Sequence, residues 1–249
     1  MTRREPRDIR IGTAGWSIPK QHAAAFAATG SHLERYARRF NAVEINTSFY
    51  RPHRKTTYER WAASVPADFR FAVKAPQEIT HERRLIDTHD ALNAFLAQTD
   101  GLGGKRGPLL FQLPPTLTFE AATARTFFMM LRERYRESVV CEPRHPTWFT
   151  PDAEDLLAGF DVSRVAADPA IVPAAAEPSG HDEIAYVRLH GAPRVYYSNY
   201  ADGQIGGYAR QIARMAQSSV WCIFDNTAEG AATGNAGALD AMLKSQRCA

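Results

Sequence analysis

Polar side chains capable of proton transfer or anion recognition recur along this chain, each at the end of a short apolar or β-branched run. Glu44 stands inside Val-Glu-Ile and Asn46 follows two positions later. Lys74 closes a run beginning at Phe69, and Gln112 closes another just before Pro114 and Pro115. Glu142 and Arg144 are two apart, as are Arg188 and His190, while Asp168 ends one run and Asp225 with Asn226 another. A carboxylate between apolar neighbours must be paired or neutral when buried. Glu44 therefore reads either as an ion-pair partner of Lys74 or Arg188, or as a general acid or base. Glu142 is a second candidate for that chemistry. His190 reads as an acid/base, a metal ligand or a hydrogen-bonded core histidine. Lys74 suits ion pairing and anion binding, or nucleophilic imine chemistry if desolvated. Arg144 and Arg188 have the forked donor geometry that matches carboxylate and phosphate.

These residues matter together only if the runs that carry them share one end. Eight runs are predicted as strands: Ile9–Thr13, Ala42–Asn46, Phe69–Lys74, Leu109–Leu113, Val139–Glu142, Ser163–Asp168, Ala185–His190 and Val220–Asp225. Apolar runs of this length are what a sheet buried on both faces requires. Helical patterns separate most of them. His32–Phe40 has an inner stripe of Leu33, Tyr36, Ala37 and Phe40, with Ser31 and Glu34 spaced as a capping box. Further helices are predicted at Asp90–Gln98, Glu120–Arg134, Asp152–Ala158, Ile205–Ala216 and Gly237–Lys244. After Asp168 three prolines within ten residues forbid a regular helix. The alternation predicts one α/β domain over 1–249. Its architecture is a (β/α)8 barrel of the TIM type with a parallel sheet and a weak or missing sixth helix. Such barrels place their sites at the carboxyl ends of the strands. Side chains two apart share a face, so Arg188 with His190 and Glu142 with Arg144 are expected to point into one mouth.

Other residues are assigned to the loops above that mouth. Trp16, Trp148, Tyr50, Tyr196 and Tyr197 either stack on a ligand or close the barrel top, and His81 and His145 lie on the same side. The expected ligand set is Trp16, Asn46, Lys74, His81, Gln112, Arg144, Asp168, Arg188, Asp225 and Asn226. No cofactor is implied. Lys74 and Arg188 would repel a cation, so the site is expected to be free of metal.

Composition narrows the function classes. The chain has 249 residues, is 45% hydrophobic and 23% charged, and carries a net charge of +3. That excess is too small to argue for nucleic acid or a membrane surface. Part of it sits in a basic arm over residues 1–8, read with Arg10 as solvated. Cys141, Cys222 and Cys248 form no closely spaced pair, which favours a reducing compartment, and a cytoplasmic location is expected. No apolar stretch is long enough for a membrane span. The segment Gly101 to Gly107 reads GLGGKRG but precedes a strand and lacks the Ser or Thr of a phosphate loop. His81-Glu82 lacks the second histidine of a zinc-protease helix, because Leu85 stands there, and no G-x-S-x-G elbow occurs.

The same segments resemble a known family. They are GTAGW from Gly12, VEINTSFYR from Val43, FRFAVKAP from Phe69 with Ile79-Thr80-His81, FQLPP from Phe111, EPRHPTW from Glu142, YVRLHG from Tyr186, and FDN from Phe224 with Gly230 and Asn235-Ala236. In order and together they resemble the YecE-like family of TIM-barrel proteins, a domain of unknown function, from about residue 9 to residue 244. Pro143 departs from the apolar residue common there, and a second tryptophan after Trp16 is missing. The resemblance implies the barrel and a bacterial-type cytoplasmic protein, and it implies no activity.

Three functions are compatible with these residues. The first is an enzyme acting on an anionic small molecule, a sugar phosphate or sugar acid. Glu44 or His190 would act as acid/base, Lys74, Arg144 and Arg188 would hold the anion, and Asn46, Gln112 and Asn226 would orient it. The second is a glycosidase-like hydrolase pairing Glu44 with Glu142 or Asp225. The third is a nucleic-acid or nucleotide binding protein without catalysis.

Overall fold

The computed structural model describes residues 7–248. Strands and helices alternate along it: β1 (Asp8–Thr13), α1 (His32–Ala37), β2 (Ala42–Ile45), α2 (Thr47–Tyr50), α3 (Lys55–Ala63), β3 (Arg70–Lys74), α4 (His89–Thr99), β4 (Arg106–Gln112), α5 (Ala121–Arg134) and β5 (Val139–Glu142). Then follow α6 (Pro151–Gly159), β6 (Val162–Arg164), β7 (Ala166–Asp168), β8 (Ser179–Gly180), β9 (Ile184–Leu189), α7 (Asp202–Arg214), β10 (Ser219–Phe224) and α8 (Ala231–Cys248). The fold is α/β and its sheets are mostly parallel. Only a 3-10 turn at Pro173–Ala176 occupies the place after β7 where a sixth helix was doubtful.

The strands form two sheets, not the single closed parallel sheet expected. One has the order β1-β10-β9-β7, the other β2-β3-β4-β5-β6-β8. The second is mixed, because the short β8 pairs antiparallel with β6. The expected pairing of the first and last runs is present: β1 lies parallel to β10, from Asp8 opposite Ser219 to Thr13 opposite Phe224.

The sheets meet at two seams. β6 and β7 are successive parts of one extended run, divided at Val165. The first part pairs with β5 and the second with β9. At the other seam β1 faces β2, and only Ala14 and Glu44 make a ladder bridge. Side chains do the rest. Asn41 donates to the carbonyl of Ile9 at 2.8 Å and accepts from the amide of Ile11 at 3.0 Å. The Tyr36 hydroxyl accepts from the Thr13 amide at 2.9 Å and donates to the Ala42 carbonyl at 3.2 Å. Gly12 permits this approach, since a Cβ there would lie 2.2 Å from the Ala42 oxygen.

Alternation along the strands divides the buried residues into two cores. Ala42, Ala72, Leu110, Val140, Val165, Ile184, Tyr186, Trp221 and Ile223 form an inner cluster. The opposite face, with Val43, Phe71, Val73, Phe111, Cys141, Val187 and Phe224, packs against the helices. There Phe127, Phe128 and Leu131 of α5 are buried as the helical stripe required. Gly107 leaves room for the inner Trp221, whose ring would be 2.6 Å from a Cβ at that position.

Several local expectations are refined. The capping box of α1 forms, with the Glu34 carboxylate accepting from the Ser31 amide at 2.6 Å. The glycine-rich segment before β4 is a 3-10 turn at Asp100–Lys105, a helix-to-strand connection. Of the basic arm, residues 1–6 lie outside the described residues. Arg7 and Arg10 are not solvated: Arg7 donates to carbonyls at the end of α7, and Arg10 bonds Asp8 at 2.8 Å within β1. No described helix is long and apolar enough to cross a membrane.

Candidate functional site

Above the inner apolar cluster, the next inward positions are polar. Glu44, Lys74, Glu142, Arg188 and Asp225 are all buried there, with His190 one step further along β9. The strand period of two produces this layering: Ala42 precedes Glu44, Ala72 precedes Lys74, Val140 precedes Glu142, Tyr186 precedes Arg188 and Ile223 precedes Asp225.

Arg188 is the hub. Its Nε and Nη2 donate to the two oxygens of Glu44 at 3.0 and 2.7 Å, a bidentate pair. Its Nη1 donates to Glu142 Oε2 at 2.6 Å, and Nη2 also reaches Asp225 Oδ2 at 3.1 Å. Tyr186 donates its hydroxyl to Glu44 Oε2 at 2.9 Å. The guanidinium is fully buried, and four of its five N–H groups are taken up by these carboxylates. Three acids around one cation satisfy the requirement that a buried charge be paired and hydrogen-bonded.

His190 extends the network. Its Nδ1 lies 2.9 Å from Asp225 Oδ2, which also contacts Arg188. Its Nε2 lies 2.8 Å from Glu142 Oε1 and 2.7 Å from Arg144 Nη2, and that same Arg144 nitrogen is 2.6 Å from Glu142 Oε1. A ring nitrogen either donates or accepts. Nε2 can donate to Glu142 or accept from Arg144, so one of the three contacts is unsatisfied in either protonation state.

The electrostatics follow from the geometry. Burial opposes ionisation of Glu142, but Arg144, Arg188 and His190 together hold its carboxyl well below the usual carboxylate range. Asp225 is likewise lowered against its burial, by Arg188 and His190. The same acids hold the Arg188 proton well above its ordinary affinity, against the effect of burial. Burial, and then the nearby Arg188, push the Lys74 amine down to about 8.

The structure brings together Glu44, Lys74, Glu142, Arg144, Arg188, His190 and Asp225 from the predicted set. Asn46 and Gln112, half-buried, continue the inward faces of β2 and β4. Asn46 Oδ1 and Arg144 Nε are buried without a hydrogen-bond partner. Asp168 and Asn226 are corrections. Both point away from the ring, because each is an odd number of residues from an inward position. Asp168 accepts from the Tyr200 hydroxyl at 2.7 Å, and Asn226 donates to Asn235 and to the Ser198 carbonyl, each at 2.9 Å. Trp16 packs edge-on against Trp61 at 4.9 Å, and His81 against Phe49 at 4.9 Å. Of the three cations expected to hold an anion, Arg188 directs its donors to Glu44, Glu142 and Asp225.

Two contributors, Tyr186 and Phe49, were not foreseen, and Tyr196 was expected only as a loop aromatic above the mouth. Tyr186 shares the inward face with Arg188, a position that the alternation already implied. Phe49 lies under Lys74, with the amine 4.0 Å from the ring centroid. Tyr196, with φ +70°, covers His190 edge-on at 5.9 Å. Among the described residues no group of three His, Cys, Asp or Glu side chains is arranged to hold a metal ion.

Known proteins share this chain's sequence and fold. The YecE protein of Escherichia coli K12 (UPF0759) is 34% identical over 148 residues, covering 59% of this chain and 52% of that protein. The YunF protein of Bacillus subtilis 168 (UPF0759) is 28% identical over 160 residues, covering 61% and 56%. The chain thus spans about half the length of the curated relatives it matches. Crystal structures of DUF72 family proteins from Thermotoga maritima and Enterococcus faecalis V583 each superpose with a TM-score of 0.80 at 21% identity. They cover 95% and 97% of this chain and 99% of their own. The family described as "Protein of unknown function DUF72" matches residues 10–249. With that match over nearly its whole length, the chain belongs to the DUF72 family, the YecE-like proteins.

Proposed function

We propose that the two sheets are arcs of one eight-stranded barrel whose inward polar ring is an acid/base site for a small anionic molecule, such as a sugar phosphate or sugar acid. The barrel reading is supported by the continuous run through β6, Val165 and β7, and by the side-chain seam between β1 and β2. The observation that carries the functional reading is the contact set of His190. One nitrogen is fixed on Asp225, and the other faces Glu142 and Arg144. A carboxylate on one ring nitrogen orients the imidazole and leaves the other for proton transfer. Arg144 is the anion-binding group. It is partly exposed, its Nε is unpartnered, and its departure from Nε2 would free both the fork and the histidine. Arg188 holds the acids in place, and Asn46 and Gln112 orient the substrate.

The glycosidase-like reading is less well supported. It needs one protonated carboxylic acid, whereas Glu142 and Asp225 are held towards the ionised form and both oxygens of Glu44 accept from Arg188. The nucleic-acid reading loses Arg188, which is buried under carboxylates.

Thermal denaturation with a panel of sugar phosphates and sugar acids tests the binding half. At least one compound is expected to stabilise the parent protein, and Arg144→Ala to remove that shift while remaining folded. No stabilisation by any anionic compound, or equal stabilisation of Arg144→Ala, would contradict the assignment.

A further inference from the structure

Among the described residues Lys74 is the one ring cation that the network does not use. It ends β3 on the inward face, next to β2 and Glu44, and it is 6% exposed. Among the described residues its amine makes no ion pair and no hydrogen bond; it lies 4.0 Å above the face of Phe49. A lysine present to balance charge would rest on a carboxylate. Here the adjacent carboxylate is taken, because Glu44 accepts from Tyr186 and twice from Arg188. Three ammonium donors with no protein acceptor in a mostly buried site are costly, and a ring face recovers only part of that cost. Loss of a proton, which exposes the amine lone pair, is therefore easier at this position than in water.

We propose that Lys74 is a nucleophilic amine that captures an aldehyde or ketone as an imine. The proposal deepens the acid/base reading, since it rests on the ring being a substrate site and names the class of substrate as a carbonyl compound. The amine lone pair attacks the carbonyl carbon, and a C–N bond forms as the carbonyl π bond opens onto oxygen. The oxygen leaves as water, carrying the two amine protons. Protonation of the imine nitrogen gives an iminium that draws electrons from the neighbouring C–H bond. Addition of water reverses the capture and restores the amine, so no oxidant or reductant is needed. Burial and the Arg188 charge, opposed by Glu44, Asp225 and Glu142, bring the amine down to about 8, so the nucleophilic form is accessible near neutral pH. The unpartnered Asn46 Oδ1 and Arg144 Nε favour a substrate that also bears hydroxyl or carboxylate groups.

Reductive trapping tests this on the full chain. The protein is incubated at about pH 7.5 with glycolaldehyde, or with glyoxylate as an anionic probe, and sodium cyanoborohydride. The reagent delivers hydride to the iminium carbon and fixes it as a secondary amine, which peptide mass spectrometry locates. The expected result is labelling of Lys74 at least about ten-fold faster than the exposed Lys20, Lys55 and Lys244. Lys74→Arg, which keeps the charge, is expected to remove that fast phase only. Labelling of Lys74 no faster than of the exposed lysines with both probes would overturn the proposal. The result is separable from the anion assignment. Trapping at Lys74 without any Arg144-dependent stabilisation removes the anion reading alone, and the converse removes the imine alone.

Discussion

At the residue scale the structure turns on Arg188. A buried guanidinium surrounded by three carboxylates balances a large desolvation cost, and removing it leaves Glu44, Glu142 and Asp225 facing one another. Loss of one partner from such a network costs about 3–5 kcal/mol. Arg188→Met is therefore expected to lower the melting temperature by roughly 10 °C, or to abolish folding; a shift within about 2 °C would contradict the hub role. Lys74→Met should act in the opposite direction. The lysine's folded-state pKa is depressed, to about 8 from 10.5, so between those values the unfolded chain binds more protons and stability rises with pH. Below pH 8 the full cost of burying the ammonium is present. Lys74→Met is thus expected to be more stable than the parent at pH 7, with the difference shrinking towards pH 10. Denaturant unfolding at the two pH values checks the sign. Most of this ring was legible in the sequence, because Glu44, Glu142, Arg188 and Asp225 stand two positions beyond inward apolar residues. Asp168 and Asn226 were misread by taking the last polar residue of a run without counting its parity. The consumption of Arg188 could not be read, because it depends on distances across the molecule that no local pattern encodes.

At the scale of elements, the strands were legible from their apolar runs and the helices less evenly. α3 was not anticipated because its sequence, KTTYERWAA, buries only Tyr58 and has no apolar stripe. α8 begins at Ala231, six residues before its predicted start, through a segment containing Gly234 and Asn235 that has weak helix propensity. Its buried positions Ala232, Ala236, Leu239 and Leu243 are spaced three and four apart, so packing decides where it begins. The β1–β2 seam was invisible to strand patterns because side chains build it. Tyr36 makes its contacts there from α1, within a stripe that predicted only burial. Tyr36→Phe keeps the ring and removes the hydroxyl that bonds Thr13 and Ala42. An unsatisfied buried backbone group costs about 1–3 kcal/mol. A loss in that range is expected from denaturant unfolding, and a neutral effect would mean that the seam is held by packing alone.

At the scale of the whole molecule, an apolar floor supports a layer of charges, the half-buried amides Asn46 and Gln112 stand at the strand ends, and the loops above carry Tyr196. This architecture makes the fold sensitive to acid. Glu142 and Asp225 titrate below their ordinary values of 4.5 and 3.8 in the folded state. Their contribution is complete above about pH 4.5 and is lost as pH falls. The parent protein is expected to lose stability steeply below that pH, and circular dichroism across the acid range would reveal it. The proposed acid/base function has this same layer moving protons through His190. The most direct measurement is proton NMR of sugar phosphates and sugar acids incubated with the protein in deuterated water. The parent is expected to wash out the C–H signal next to the carbonyl of at least one compound, and His190→Gln to do so about 100-fold more slowly or less. Exchange that is absent for every compound, or equally fast in His190→Gln, would contradict it.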